Sequence, residues 1–253
     1  MIKLKTRDEI IELKEGGAIL ARIMRKLKNA AKPGVSAAFL DKLAFKLIND
    51  SGGCPSFLNY KPEFATRVFP NSLCISLNEV IVHGIPNEEI IFKRGDLISL
   101  DLGMEYKGLF TDHAITFGLE PITNQERKLI MATYKALIAA IKAARPNRTL
   151  GDIGYAIQKE VERYGFKVIK DLTGHGVGYA VHEDPIVFNY GEQKQGLKLA
   201  PGLVLAIEPM VTFSNGAVKE NSDGSFSTLD GKKACHFEHT IAILKDKTII
   251  LTK

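Results

Sequence analysis

With 253 residues, 45% of them hydrophobic and 25% charged, the chain is long enough to bury one sizeable core or two small ones, and nothing in its composition suggests disorder. Thirty-four Lys and Arg against 29 Asp and Glu leave a formal charge of +5, an excess too small and too dispersed to mark a nucleic-acid groove. The three cysteines, Cys54, Cys74 and Cys235, show no C-x-x-C spacing, which argues against both a disulfide framework and a zinc finger and fits a reducing, cytoplasmic setting.

The N-terminal stretch MIKLKTRDEIIELKEGG carries a charge every few residues, so it is not a signal peptide, and no later run approaches the length of a membrane span. The chain is therefore expected to be soluble, neither exported nor anchored. Apolar residues at Ile10, Leu13, Leu20, Ile23, Met24 and Leu27 predict a helix over residues 7–31, stopped by Pro33-Gly34. A second helix is expected from Ser36 to Gly52. Residues 97–103 and 109–117 read as strands joined by a tip near Lys107-Gly108.

The pattern then repeats. A capping box, Thr123 with Glu126, opens a helix that ends before Pro146, and Thr149 with Asp152 opens another that ends at Gly165. Strands follow over 203–213 and 234–251. At an offset of 113 the halves match Pro33 to Pro146, Ser36 to Thr149, Leu40 to Ile153, Ile48 to Val161 and Gly52 to Gly165. These observations predict an α+β fold: one domain over 1–253, with an internal pseudo-repeat at about 8–118 and 121–251. Its halves would be related by a pseudo-two-fold, with antiparallel sheet covered by helices and a cleft between them.

Two aspartates sit inside the strand-like runs. An unpaired buried carboxylate costs on the order of several kcal/mol, so Asp101 and Asp112 need an explanation. A tip centred near Tyr106 and Lys107 pairs positions whose numbers sum to 213, which would set Asp101 opposite Asp112. Either one of them is protonated or both clasp a cation. The six histidines lie in acidic or Gly-rich surroundings: His83, His113 beside Asp112, His175 and His182 in TGHGVGYAVHEDP, and His236 and His239 flanking Glu238. Glycines on both sides of His175 let backbone and ligand approach closely. Glu208, ahead of Pro209 in VLAIEPMV, and Glu238, in CHFEHTIAIL, complete an oxygen-rich set. Four carboxylates with one or two imidazoles suit two hard or borderline divalent ions better than one tetrahedral zinc.

The segments NEVIVHGIP, SLDLG with Asp112 eleven residues after Asp101, GHGVGYAVHEDPIVFNY, AIEPMV and FEHTIAIL resemble type I methionine aminopeptidases, in order and from about residue 6 to the C-terminus. The resemblance implies the pita-bread (creatinase/aminopeptidase) fold. It also implies a dinuclear centre of two divalent ions (Mn, Fe, Co or Zn) held by Asp101, Asp112, His175, Glu208 and Glu238, with Asp112 and Glu238 bridging. By the same resemblance His83 stands beside the scissile amide, His182 contacts the substrate carbonyl, and Glu208 moves a proton from water to the departing amine. The methionine pocket would draw on Phe57, Tyr60, Phe69 and Cys74, with Phe226 in place of a missing Trp.

The expected activity is removal of the initiator methionine from nascent polypeptide N-termini ahead of a small second residue, by a cytoplasmic monomer in transient contact with the ribosome and with neither membrane nor specific nucleic acid as partner. Xaa-Pro peptidases would share the five ligands but carry a further N-terminal domain. A non-catalytic relative would be expected to lose ligands. Leu172, Val181, His236, the absence of Trp and a lengthened loop at 61–68 depart from the pattern and bear on the pocket rather than on the ligands.

Overall fold

The protein is described here by a computed structural model covering residues 2–61 and 67–253, so most of the lengthened loop expected at 61–68 lies outside the described residues. Two helices open the chain, α1 (Arg7–Ala30) and α2 (Ala37–Asp50). Thr6 caps α1 in a reciprocal box with Glu9, and the Ser36 side chain accepts from Phe39 N–H at the start of α2. Strands β1 (Cys54–Pro55), β2 (Cys74–Leu77), β3 (Val80–Val82), β4 (Leu97–Tyr106) and β5 (Leu109–Gly118) follow.

The second half opens with α3 (Asn124–Ala143) and α4 (Leu150–Arg163), both with the capping boxes expected at Thr123 and Thr149. It continues with β6 (Lys167–Val168), β7 (Thr173–Gly176), β8 (Glu183–Phe188), β9 (Val204–Ile207) and β10 (Met210–Thr212). Five short strands close it: β11 (Val218–Glu220), β12 (Phe226–Thr228), β13 (Ala234–His236), β14 (His239–Ile243) and β15 (Thr248–Ile250).

The described strands pair antiparallel throughout. In the first half β4 is central, with β5 along one edge and β1 and β2 along the other; in the second the order is β15-β14-β9-β7-β8. Helices α1 and α2 bury Leu20, Met24, Leu40 and Ile48 against Ile75, Ile98 and Leu100 of the first sheet. Leu129, Leu137, Ile153 and Ile157 of α3 and α4 pack on Leu205, Ile207 and Ile241 of the second. A third cluster joins the halves, setting Ile10 and Leu13 of α1 and Leu109 of β5 against Val204, Ala206 and Ala242.

Two expectations need correcting. The hairpin tip is Lys107-Gly108, with φ of +54° and +80°, so Tyr106 pairs with Leu109 and positions pair when they sum to 215. Asp101 therefore lies opposite Ala114 and Asp112 opposite Gly103. The aspartates are diagonal neighbours on one face rather than directly opposed. The runs 203–213 and 234–251 are likewise not single strands: β9 stops before Glu208-Pro209, β13 before Phe237-Glu238, and β14 before Leu244. The interruptions at 208 and 238 put both glutamates at breaks in the ladder.

Candidate metal centre

Each acidic residue of the centre comes from a different piece of backbone. Asp101 is on β4, Asp112 on β5, Glu208 in the break between β9 and β10, and Glu238 in the break between β13 and β14. The hairpin register leaves two small residues, Gly103 and Ala114, opposite the two aspartates. Diagonal neighbours hold their Cβ atoms about 7–8 Å apart, close enough for the Asp101 and Asp112 carboxyls to reach one another across the face.

Side chains stitch the two halves together at this point. The Thr240 hydroxyl accepts from Asp112 N–H and donates to Asp112 C=O, both at 2.8 Å. The Thr116 hydroxyl treats His236 the same way, accepting from its N–H at 2.9 Å and donating to its C=O at 2.7 Å. Between them Glu238 N–H donates to Ala114 C=O at 2.8 Å. His113 Nδ1 lies 2.6 Å from the Glu238 carbonyl oxygen. Asp112 and Glu238 are thus fixed at the seam.

His175 arrives on β7, where both flanking glycines have a structural reason. A Cβ on Gly174 would lie 2.5 Å from the Ala206 carbonyl oxygen, and one on Gly176 would collide with the Asp184 carbonyl. The glycines let β7 fit between β9 and β8, which sets the imidazole facing the carboxylates. Ligand atoms of Asp112, His175 and Glu238 all lie within 4.8 Å of one another. His175 Nε2 is 3.4 Å from Glu208 Oε1. Asp101 joins through the strand register and through its electrostatic coupling to Asp112 and Glu208.

The electrostatics of the four carboxylates suit a bound cation. Asp112, Glu208 and Glu238 are buried, and among the described residues no Lys or Arg forms an ion pair with any of the four carboxylates. Burial first, and then the Asp112 charge, pushes the carboxyls of Asp101, Glu208 and Glu238 well above the carboxylate range. Burial also raises Asp112, to about 7, opposed by the His113 N–H that donates to its carboxylate. The His175 imidazole is held down at about 4, chiefly by burial, and so stays neutral as a ligand must. Asp101 Oδ1 and Glu238 Oε1 are buried without a hydrogen bond. A donor set of carboxylate oxygens and one neutral imidazole, with two buried oxygens left unpaired, fits divalent ions.

The remaining sequence candidates divide into groups. Phe57, Tyr60, Phe69 and Cys74 form one apolar cluster, joined by Val181 and Phe110. Cys74 pairs directly with Asp101 across β2 and β4, so this cluster abuts the centre. His182 is exposed; its ring centroid is 4.4 Å from that of His175, and its Nδ1 is 2.9 Å from the Tyr60 hydroxyl. His83 sits at φ +59°, a left-handed conformation that costs a non-glycine residue energy and is often found at functional sites. Its ring meets Phe226 edge-on at 5.8 Å, and Phe226 belongs to a separate cluster with Ile81, Ile169 and Met210. His113 and His239 stack on each other at 4.7 Å, next in sequence to Asp112 and Glu238 but on the opposite strand face. The stitching hydroxyls of Thr116 and Thr240, and the Tyr60–His182 contact, carried no signal in the sequence.

A pita-bread fold that gathers such a donor set beside an apolar cluster defines a metal-dependent peptidase, and the chain belongs to metallopeptidase family M24, whose profile matches residues 12–245. Its similarities within that family converge on one group. It is 41% identical over 254 residues to methionine aminopeptidase 1 of Bacillus subtilis, covering 100% of both chains. It is 40% identical over 255 residues to methionine aminopeptidase of Aquifex aeolicus, covering 100% of this chain and 99% of that one. The crystal structure of methionine aminopeptidase from Thermotoga maritima superposes with a TM-score of 0.95 at 38% identity over 100% of both chains.

Proposed function

We propose that the chain removes the N-terminal methionine of nascent polypeptides in the cytoplasm, using two divalent ions held by Asp101, Asp112, His175, Glu208 and Glu238, and that it prefers a small second residue. The observation that carries this reading is the convergence of carboxylates from both halves on one neutral imidazole, with no Lys or Arg paired to them among the described residues. The methionine specificity rests on the relatives' names and on the adjoining apolar cluster of Phe57, Tyr60, Phe69, Cys74 and Val181.

When bound, the ions supply Lewis acidity, which lowers the pKa of water toward neutrality and polarises a carbonyl. The chain's own residues do the rest. The apolar cluster takes the methionine side chain, where the polarisable thioether packs against aromatic rings. Glu208 accepts the proton of the attacking water on a carboxylate oxygen and returns it to the departing amine. Tyr60 donates its hydroxyl proton to His182 Nδ1, which leaves Nε2–H of His182 to donate to the substrate carbonyl oxygen as it gains negative charge. His83 lies beside the scissile amide.

The test uses the peptides Met-Ala-Ser and Met-Lys-Ser with Mn²⁺, Co²⁺ or Fe²⁺ added. Methionine should be released from the first and far more slowly from the second. No release from Met-Ala-Ser with any of the metals refutes the activity, and cleavage of Ala-Pro peptides instead would reassign the specificity.

A further inference from the structure

One buried imidazole beside the centre lacks a hydrogen-bonded partner. His236 ends β13, is 1% exposed, and neither Nδ1 nor Nε2 makes a hydrogen bond. Buried polar groups are paired almost without exception, so this ring has a use that the described contacts do not fill. Its Nε2 stands 3.2 Å from Glu208 Oε2, while the other oxygen of that carboxylate, Oε1, stands 3.4 Å from His175 Nε2. Glu208 is divided between two imidazoles, one inside the ligand set and one outside it.

The backbone holds His236 in place. Both its N–H and its C=O are tied to the Thr116 hydroxyl, and it pairs with Met210, two residues beyond Glu208, on the neighbouring strand. An ionised carboxylate only accepts, so the nitrogen that faces it must carry the proton. The two atoms are at hydrogen-bonding distance but out of line, and such contacts align when a site fills.

We propose that His236 is a positioning residue of the metal centre: its Nε2–H donates to Glu208 Oε2 and thereby commits Oε1 to the ion that Glu208 shares with His175. The inference rests on Glu208 and His175 being ligands. A carboxylate without this anchor presents either oxygen, or both, and the second ion loses a defined partner.

Mn²⁺ titration of the metal-free protein by calorimetry tests it, with wild type beside His236→Gln, which keeps a donor at similar reach, and His236→Leu, which keeps the bulk and loses the donor. Removing an outer partner of a ligating group weakens metal binding about 10- to 100-fold. The Leu variant should show that loss for one ion, and the Gln variant should bind both ions as wild type does. The visible absorption of the Co²⁺ form should move in the Leu variant and not in the Gln variant. The melting temperature of the metal-free Leu variant should not fall, since the ring gives up no hydrogen bond; a purely structural role would lower it. His236→Met replaces the Leu variant if that one does not fold. Equal Mn²⁺ affinity in wild type and the apolar variants, or equal losses in the Leu and Gln variants, overturns the proposal. Wild type that takes up no Mn²⁺ overturns the metal-centre reading, and this inference with it.

Discussion

At the scale of single residues, the pair His182 and Tyr60 separates binding from catalysis. In the proposed reaction the Tyr60 hydroxyl, 2.9 Å from His182 Nδ1, donates to that nitrogen and leaves the ring proton on Nε2 for the substrate oxygen. His182 is exposed and lies outside the cluster of donor atoms from Asp112, His175 and Glu238, so replacing it should spare the ions. Loss of one such donor costs about 100- to 1000-fold in kcat. His182→Ala should show a drop of that order with metal content unchanged. Tyr60→Phe should show a smaller drop, because the imidazole survives and only its tautomer is freed. Steady-state kinetics with metal analysis of the same samples check both, and a His182→Ala enzyme with unaltered kcat removes His182 from the mechanism.

At the scale of elements, the helices were legible because their signals are local. Thr6, Ser36, Thr123 and Thr149 each cap the helix that follows, and a cap is read within four residues. The hairpin register was not legible to the residue. Lys107-Gly108 was visible as a turn, but centring the tip one position early moved the pairing sum from 215 to 213 and put Asp112 opposite Asp101 instead of Gly103. The strand breaks at Glu208 and Glu238 hide inside apolar runs, since burial on both sides of a break looks the same as burial along a strand. The candidate ligands were legible as residue types, whereas the hydroxyls that hold them depend on contacts between distant strands.

Thr240 is the clearest of these hydroxyls, because it satisfies both backbone groups of Asp112. Thr240→Val keeps the shape and orphans two buried groups, each at about 1–3 kcal/mol. The melting temperature should fall by about 2–4 °C for each kcal/mol lost, and the affinity for divalent ions should fall with it, since Asp112 is no longer pinned. Thr240→Ser restores the hydroxyl and should recover most of both. A Val variant as stable as wild type and equally strong in binding ions would show that the stitch is incidental.

At the scale of the whole molecule, the centre is a clasp between halves: the candidate ligands Asp101 and Asp112 come from the first, and His175, Glu208 and Glu238 from the second. Equivalent features recur at the offset of 113 residues, with Gly34 and Asn147 at φ +89° and +66° before the second helix of each half and Gly52 and Gly165 at +78° and +79° after it. Repulsion between the carboxylates should therefore act on the stability of the entire fold. Without ions, the folded state keeps protons on carboxyls that the unfolded chain has released, so stability is lost as pH rises between the two pKa values. For Asp112 that window runs from 3.8 to about 7, and for Asp101, Glu208 and Glu238 the folded values are also raised. The imidazoles act in the opposite sense. Burial holds all six down, so the folded state lacks protons that the unfolded chain binds below 6.5, and above that pH their contribution vanishes.

Above about pH 6.5 the carboxylates act alone among these groups, and metal-free protein should melt at progressively lower temperature as the pH rises through their raised folded values. Divalent ions at 100 times their dissociation constant add about 2.7 kcal/mol, or roughly 5–10 °C for a chain of this size. They also bind the ionised carboxylates more strongly as the pH rises. Addition of Mn²⁺ should thus flatten or reverse the slope, and chelation should restore it. Melting curves with EDTA and with Mn²⁺ across that range decide the matter: a metal-free protein whose stability holds level as the pH rises would show that its carboxylates do not repel one another, and the reason for placing ions between them would be gone.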